Sequence, residues 1–144
     1  MSIRELEVLE HRWIKEWNKG KAAIMGAIDE LVAIDYVEHD GTGEETHGLK
    51  DYKKSISELF SAFPDIHLTL DDMVVEGDKV VARFTFSGTH KGVFMGMPPT
   101  NKKWTMWGIY IDRIAGGKFV ESWVRYDTMG FMQQLDLVTT PKKG

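Results

Sequence analysis

Apolar side chains at Ile3, Leu6, Leu9, Trp13, Ile14 and Trp17 recur at three- and four-residue spacing, which predicts a helix over 3–17 with one buried face. Asn18-Lys19-Gly20 ends it. A second helix is expected over Lys21 to Leu31, with Ala23, Ile24, Ala27, Ile28 and Leu31 inward. The segment Ala33 to Asp40 leads into a polar, turn-rich loop, Gly41-Thr42-Gly43-Glu44-Glu45. Leu49 to Phe63 reads as a third helix on the stripe Tyr52, Ile56, Leu59, Phe60 and Phe63, and Pro64 marks its end. From Ile66 the period changes to two. Ile66, Leu68 and Leu70 alternate with polar residues, and Glu76-Gly77-Asp78-Lys79 supplies a turn. Further strands are expected over Val80 to Gly88, Lys103 to Ile114 and Lys118 to Tyr126, the last two joined at Gly116-Gly117. Thr128 starts a short final helix through Leu135, and the tail 139–144 is expected to fray.

Helices first and an antiparallel meander afterwards imply a single α+β domain over 1–144, with the helices segregated to one face of the sheet. A strongly curved sheet closed by helices leaves a cavity at its open end, where small-molecule sites form. The 144 residues suffice for one sizeable core, and 42% hydrophobic and 28% charged residues are ordinary for a globular chain. A net charge of −4 argues against nucleic acid or an anionic membrane as the main partner. The absence of cysteine excludes disulfides, thiol catalysis and cysteine-ligated metals. His11, His39, His47, His67 and His90 are scattered, without the i, i+4 pairing of a helical metal site, so no metal is expected. A charged, helix-patterned N-terminus and the lack of an apolar run near ~20 residues make a cytoplasmic protein the expectation.

Asp127 stands where the last strand gives way to the final helix, among Trp104, Trp107, Trp123, Tyr126, Met129 and Met132. A carboxyl in such company is poorly solvated, which raises its pKa and suits it to proton transfer near neutral pH. The competing account is an acid that bonds the free N–H groups of the following helix, which would lower the pKa instead. His39 titrates near neutrality and is a candidate acid, base or donor to an enolate, with a structural partnership to a nearby acid as its alternative. Its neighbours Glu38 and Asp40 are expected to face water. His90, at a strand end, is either a pocket residue or a hydrogen-bonding pin for the loop that follows.

Strand parity sets Glu121, Trp123, Arg125 and Asp127 on one face and Val120, Ser122, Val124 and Tyr126 on the other. If Asp127 faces the cavity, Trp123 is a wall beside Trp104 and Trp107, and Glu121 needs a partner such as Arg113 or Arg83. Val120, Val124 and Tyr126 would then form an outer apolar strip, expected to be buried in a homodimer.

Glu38-His39-Asp40, Phe63-Pro64-Asp65, Gly88-Thr89-His90-x-Gly92, Arg113-Ile114-x-x-Gly117-Lys118, Glu121-x-Trp123-x-x-x-Asp127 and Gln133-Gln134-Leu135, in this order over about 16–135, resemble the SnoaL-like polyketide cyclases of the nuclear-transport-factor-2-like superfamily. Thr46-His47 precedes Gly48 here, where many of those proteins carry a Pro-Gly pair. The resemblance implies a cone-shaped α+β barrel, a dimer or tetramer, no cofactor, and ring closure by intramolecular aldol condensation with an aspartate as acid/base, the role carried to Asp127. The expectation is therefore a cofactor-free enzyme on a small apolar carbonyl compound, with Asp127 and His39 catalytic and Trp123, Trp107, His90 and Trp104 lining the pocket. The alternatives are a non-catalytic binder of a hydrophobic metabolite, and epoxide hydrolysis or isomerisation by a relay of Asp112, Arg113 and Asp127.

Overall fold

Ser2 starts the first helix by accepting from the Glu5 amide, while the Glu5 carboxylate returns to the Ser2 amide, a reciprocal cap that fixes where the helix begins. In the computed structural model, which describes residues 1–41 and 43–139, this helix is α1 (Ile3–Asn18), followed by α2 (Lys21–Leu31) and α3 (Gly48–Ala62). Their apolar stripes pack with the concave side of a six-stranded sheet: β1 (Val32–His39), β2 (Glu45–His47), β3 (His67–Glu76), β4 (Lys79–Thr89), β5 (Lys103–Ala115) and β6 (Lys118–Tyr126). The spatial order is β2-β1-β6-β5-β4-β3, antiparallel except for the β1–β6 pair. The sheet is curved and unclosed, so the α+β architecture is that of an open cone. Part of the expected tail, 140–144, lies outside the described residues, as does Thr42 in the expected loop. Among the described residues no helix is long and apolar enough to cross a membrane.

Residues 32–39 form a strand that no period-two pattern marks. Inward-facing Glu38 and outward-facing Ile34, 83% exposed, invert the alternation that would have announced it. The parity on β6 is as expected, but the faces are exchanged: Ser122, Val124 and Tyr126 line the interior, while Glu121 and Trp123 belong to the convex face and Arg125, near the strand end, folds over the edge onto the mouth. The outer apolar strip expected from Val124 and Tyr126 is thus interior wall. In its place the convex face carries Val81, Ile111 and Trp123 in one row, with Trp107 and Ile109 beside them. Register shifts between Arg113 and Ile114, leaving Val120 as the extra residue of a bulge that bends β6. Gly108 sits where a Cβ would meet the Arg125 carbonyl oxygen at 2.4 Å and the Phe84 ring at 2.8 Å, so only glycine lets the sheet close around that ring.

Candidate active site

Two connected spaces occupy the concave side. The inner chamber, about 50 Å3, has Tyr36 and Glu38 of β1, Tyr52 of α3, Tyr110 and Asp112 of β5 and Ser122 of β6 in its lining. By this measure a water needs ~10–15 Å3, so the chamber admits a few waters or one end of a ligand. The mouth, about 390 Å3, is walled by Leu59, Phe63, Phe94, Trp104 and Phe131 among others. Phe86 and Tyr126 line both spaces and form the neck between them. The short helix α4 (Thr128–Gln134) is docked beside the mouth by Gln134, whose amide donates to the Thr105 carbonyl at 2.6 Å and accepts from the Thr105 amide at 2.8 Å.

The chamber floor is acidic, and among the described residues no lysine, arginine or histidine lines it. Glu38 is half-buried and lines the chamber. Loss of water pushes its carboxyl up to about 7; the Tyr36 hydroxyl, donating to Oε2 at 3.2 Å, works against that, and the charges of Asp112 and Asp40 add to it. Asp112 is buried and pushed by that burial up to about 6, although hydrogen bonds from Ser122 and Glu10 favour its ionised form. Glu10 of α1 is 0% exposed, and its Oε1 accepts from the Tyr110 hydroxyl at 2.6 Å. Burial, then the charge of Asp112, raises the Glu10 carboxyl well above its usual range. Among the described residues Glu10 Oε2 has no hydrogen-bond partner. The negative charge of Asp112 thus opposes ionisation of Glu10 beside it. Tyr52 and Tyr126 stay protonated far above neutrality, and both line the chamber.

The residues singled out from sequence do not converge here. Asp127 is exposed and caps α4, its Oδ1 accepting from the Gly130 amide at 3.1 Å; the first free N–H groups of the helix, not the aromatic side chains, hold it. His39 follows Glu38 on β1 and so points to the opposite, convex face. There its ring stacks on Trp123 at 5.4 Å and lies between Glu45, 2.6 Å from Nδ1, and Glu121, 2.8 Å from Nε2. The Glu121 hydrogen bond, aided by Glu45 and opposed by slight burial, raises the His39 pKa. Glu121 also takes Arg113 at 3.1 Å, the ion pair foreseen for it. Trp107, 55% exposed, and Trp123 lie on the convex face, whereas Trp104 is buried and walls the mouth. His90, 0% exposed, pins the long loop: its Nδ1 accepts from the Thr100 amide at 3.3 Å, and its carbonyl accepts from the Asn101 amide at 2.8 Å. Asp112, Arg113 and Asp127 form no relay, because successive strand residues Asp112 and Arg113 face opposite sides and Asp127 is outside the chamber. Glu38, expected in water, is instead on the floor because it lies two residues from inward-facing Tyr36.

One signal of the floor was available in the sequence. Glu10 lies on the stripe Leu6, Leu9, Trp13, Ile14 and Trp17, a charged residue on a face that must be buried. Nothing local distinguishes Asp112 or Ser122 until the strands are paired opposite each other.

A family model described as SnoaL-like polyketide cyclase matches residues 7–135. TsrD from Streptomyces laurentii has 30% identity and a TM-score of 0.83, with 96% of this chain and 99% of that one covered. AclR from Streptomyces galilaeus, described as a candidate hydroxylase, has 27% identity and a TM-score of 0.84 over 96% of this chain and 100% of its own. IdmH from Streptomyces antibioticus, described as a candidate polyketide cyclase, has 28% identity and a TM-score of 0.76 over 90% and 97%. No curated protein matches the sequence. With nearly the whole domain matched by the family model and by solved structures alike, the chain belongs to the SnoaL-like polyketide cyclase family.

Proposed function

We propose that the protein is an acid/base enzyme that enolises a small apolar carbonyl compound, as in ring closure by intramolecular aldol condensation, using its own carboxyls and hydroxyls. The observation that carries this reading is Glu38: a carboxyl that lines the chamber and is pushed by burial up to about 7, where proton uptake and release are both accessible. The ionised form of Glu38 takes the proton on the carbon next to the substrate carbonyl, and the bonding pair moves to the carbonyl oxygen as an enolate. Tyr52 or Tyr126 donates a hydrogen bond to that oxygen. Burial holds Glu38 near 7, and the charge of Asp112, which accepts from Ser122, adds to that shift. The new enolate carbon then attacks a second carbonyl of the same molecule, and the alkoxide formed recovers the proton from Glu38. Trp104 and its neighbours hold the apolar remainder in the mouth, while Asp127 and His39 enter this reading as structural groups. The convex row of Val81, Ile111 and Trp123 with Trp107 and Ile109 is inferred to pair with a second copy.

The test uses 2-tetralone, a bicyclic ketone, in D2O, with deuterium uptake next to the carbonyl followed by NMR. Wild type is expected to accelerate exchange over buffer. Glu38→Gln is expected to remove most of that gain, about a hundredfold or more, and Asp127→Asn to keep it. Exchange at wild-type rate in Glu38→Gln sinks the assignment. A protein that binds 2-tetralone without accelerating exchange is a binding protein instead.

A further inference from the structure

The mouth is lined by apolar side chains together with Asp40, Thr128 and one arginine, Arg125, which is exposed at the rim and held by hydrogen bonds to backbone carbonyls. Arg125 Nη1 donates to the Val124 carbonyl at 2.7 Å and to the His39 carbonyl at 3.3 Å. The guanidinium lies against Gly41: a Cβ there would stand 2.9 Å from both Cζ and Nε, and the backbone φ of +85° favours glycine at this position. Two carbonyls and a glycine platform therefore fix the group before any ligand arrives. They occupy only Nη1. Among the described residues no carboxylate lies within 4.0 Å of Arg125, and the Nε and Nη2 edge of the fork has no partner. That edge has the spacing that binds a carboxylate through two parallel hydrogen bonds. Asp40 also lines the mouth, and its charge adds to the upward shifts of Glu38 and Tyr126.

We propose that Arg125 is an anion anchor, and that the compound the mouth takes is an apolar, aromatic-sized acid whose carboxylate docks on the Nε–Nη2 edge while its far end reaches through the Phe86–Tyr126 neck. The volume fits this division: about 390 Å3 of mouth for the body, and about 50 Å3 of chamber for one reacting group. Arg125 is exposed at the rim, where the carboxylate of an entering ligand gains a charge-assisted pair that a neutral ligand does not. The inference rests on the enolising reading only for what happens at the far end; the anchor itself is a matter of binding.

The experiment is calorimetric titration with 1-naphthoate and its neutral counterpart 1-naphthamide at low salt. Wild type is expected to bind naphthoate about tenfold or more tightly than the amide, the size of one good charge-assisted pair, and added salt is expected to narrow the gap. Arg125→Met is expected to erase the preference while retaining amide binding. Arg125→Lys, which keeps the charge but not the fork, is expected to fall between, and it stands as the test if the methionine variant does not fold. Equal binding of the two probes by wild type, binding of neither, or a preference that survives Arg125→Met overturns the anchor. Glu38→Gln separates this result from the catalytic one: it is expected to lose exchange and still prefer naphthoate.

Discussion

Glu38→Gln is expected to stabilise the protein, and only at neutral and alkaline pH. In the folded state the Glu38 carboxyl holds its proton up to about 7, whereas the ordinary value is 4.5. Between those limits the folded state binds more protons than the unfolded state, so raising the pH through this window lowers the unfolding free energy. Each pH unit over which one proton separates the two states is worth about 1.4 kcal/mol, which caps the loss at about 3 kcal/mol by pH 8. Glutamine has the shape of the protonated acid, still accepts from the Tyr36 hydroxyl, and does not ionise. The variant should therefore match wild type at pH 4.5 and exceed it by about 2–3 kcal/mol at pH 8.5. Urea unfolding at the two pH values measures this, with an unchanged m showing that the unfolded state is not the cause. A stability difference that is flat with pH, or that favours wild type at pH 8.5, refutes the claim that burial holds this carboxyl near 7.

Asp127→Ala removes the α4 cap and should cost about 1 kcal/mol in urea unfolding, whereas Asp127→Asn should keep both cap and stability. For His39 the sign is opposite to that of Glu38. Its pKa is raised above the ordinary 6.5 by Glu121 and Glu45, so the stabilisation is complete below 6.5 and is lost as pH rises through the folded value. His39→Gln should therefore fall below wild type at pH 6 by less than about 1 kcal/mol, since the pair is partly exposed and screened, and the gap should close at higher pH; a gap that widens there would contradict the geometry. Trp107→Glu combined with Ile109→Glu should convert a dimer to monomers in sedimentation equilibrium, and an unchanged mass would place any interface elsewhere.

The elements were legible in the sequence wherever the hydrophobic period was undisturbed: the three long helices and the strands on either side of the Gly116-Gly117 turn lie where their patterns put them. Parity along β6 was legible too, but not the sign of the face. Parity says only which residues travel together, and here the usual guide fails because the interior carries Ser122 and Asp112 while the convex face carries Trp123, Trp107 and Ile109. The same inversion hid β1, whose inner face includes Glu38. Chemistry was therefore sought one residue away from where it lies, at His39 rather than Glu38, because a histidine announces itself and a glutamate beside it reads as solvent-facing.

The floor has a thermodynamic character that bears on its purpose. Glu10, Glu38 and Asp112 are three carboxyls around a chamber with no cation in its lining, and an apolar replacement of similar shape would avoid the desolvation cost that all three carry. A purely structural network would gain by losing Glu38, which accepts one 3.2 Å hydrogen bond and closes no helix or strand. Buried acids of this kind persist where their shifted titration is itself useful. The two measurements on Glu38→Gln therefore bear on each other. Gain of stability together with loss of deuterium exchange is the signature of a residue retained for chemistry at the expense of the fold. Gain of stability with exchange intact would leave the acid unexplained and would move the proton-transfer role to the Glu10–Asp112 pair, the remaining carboxyls at the chamber.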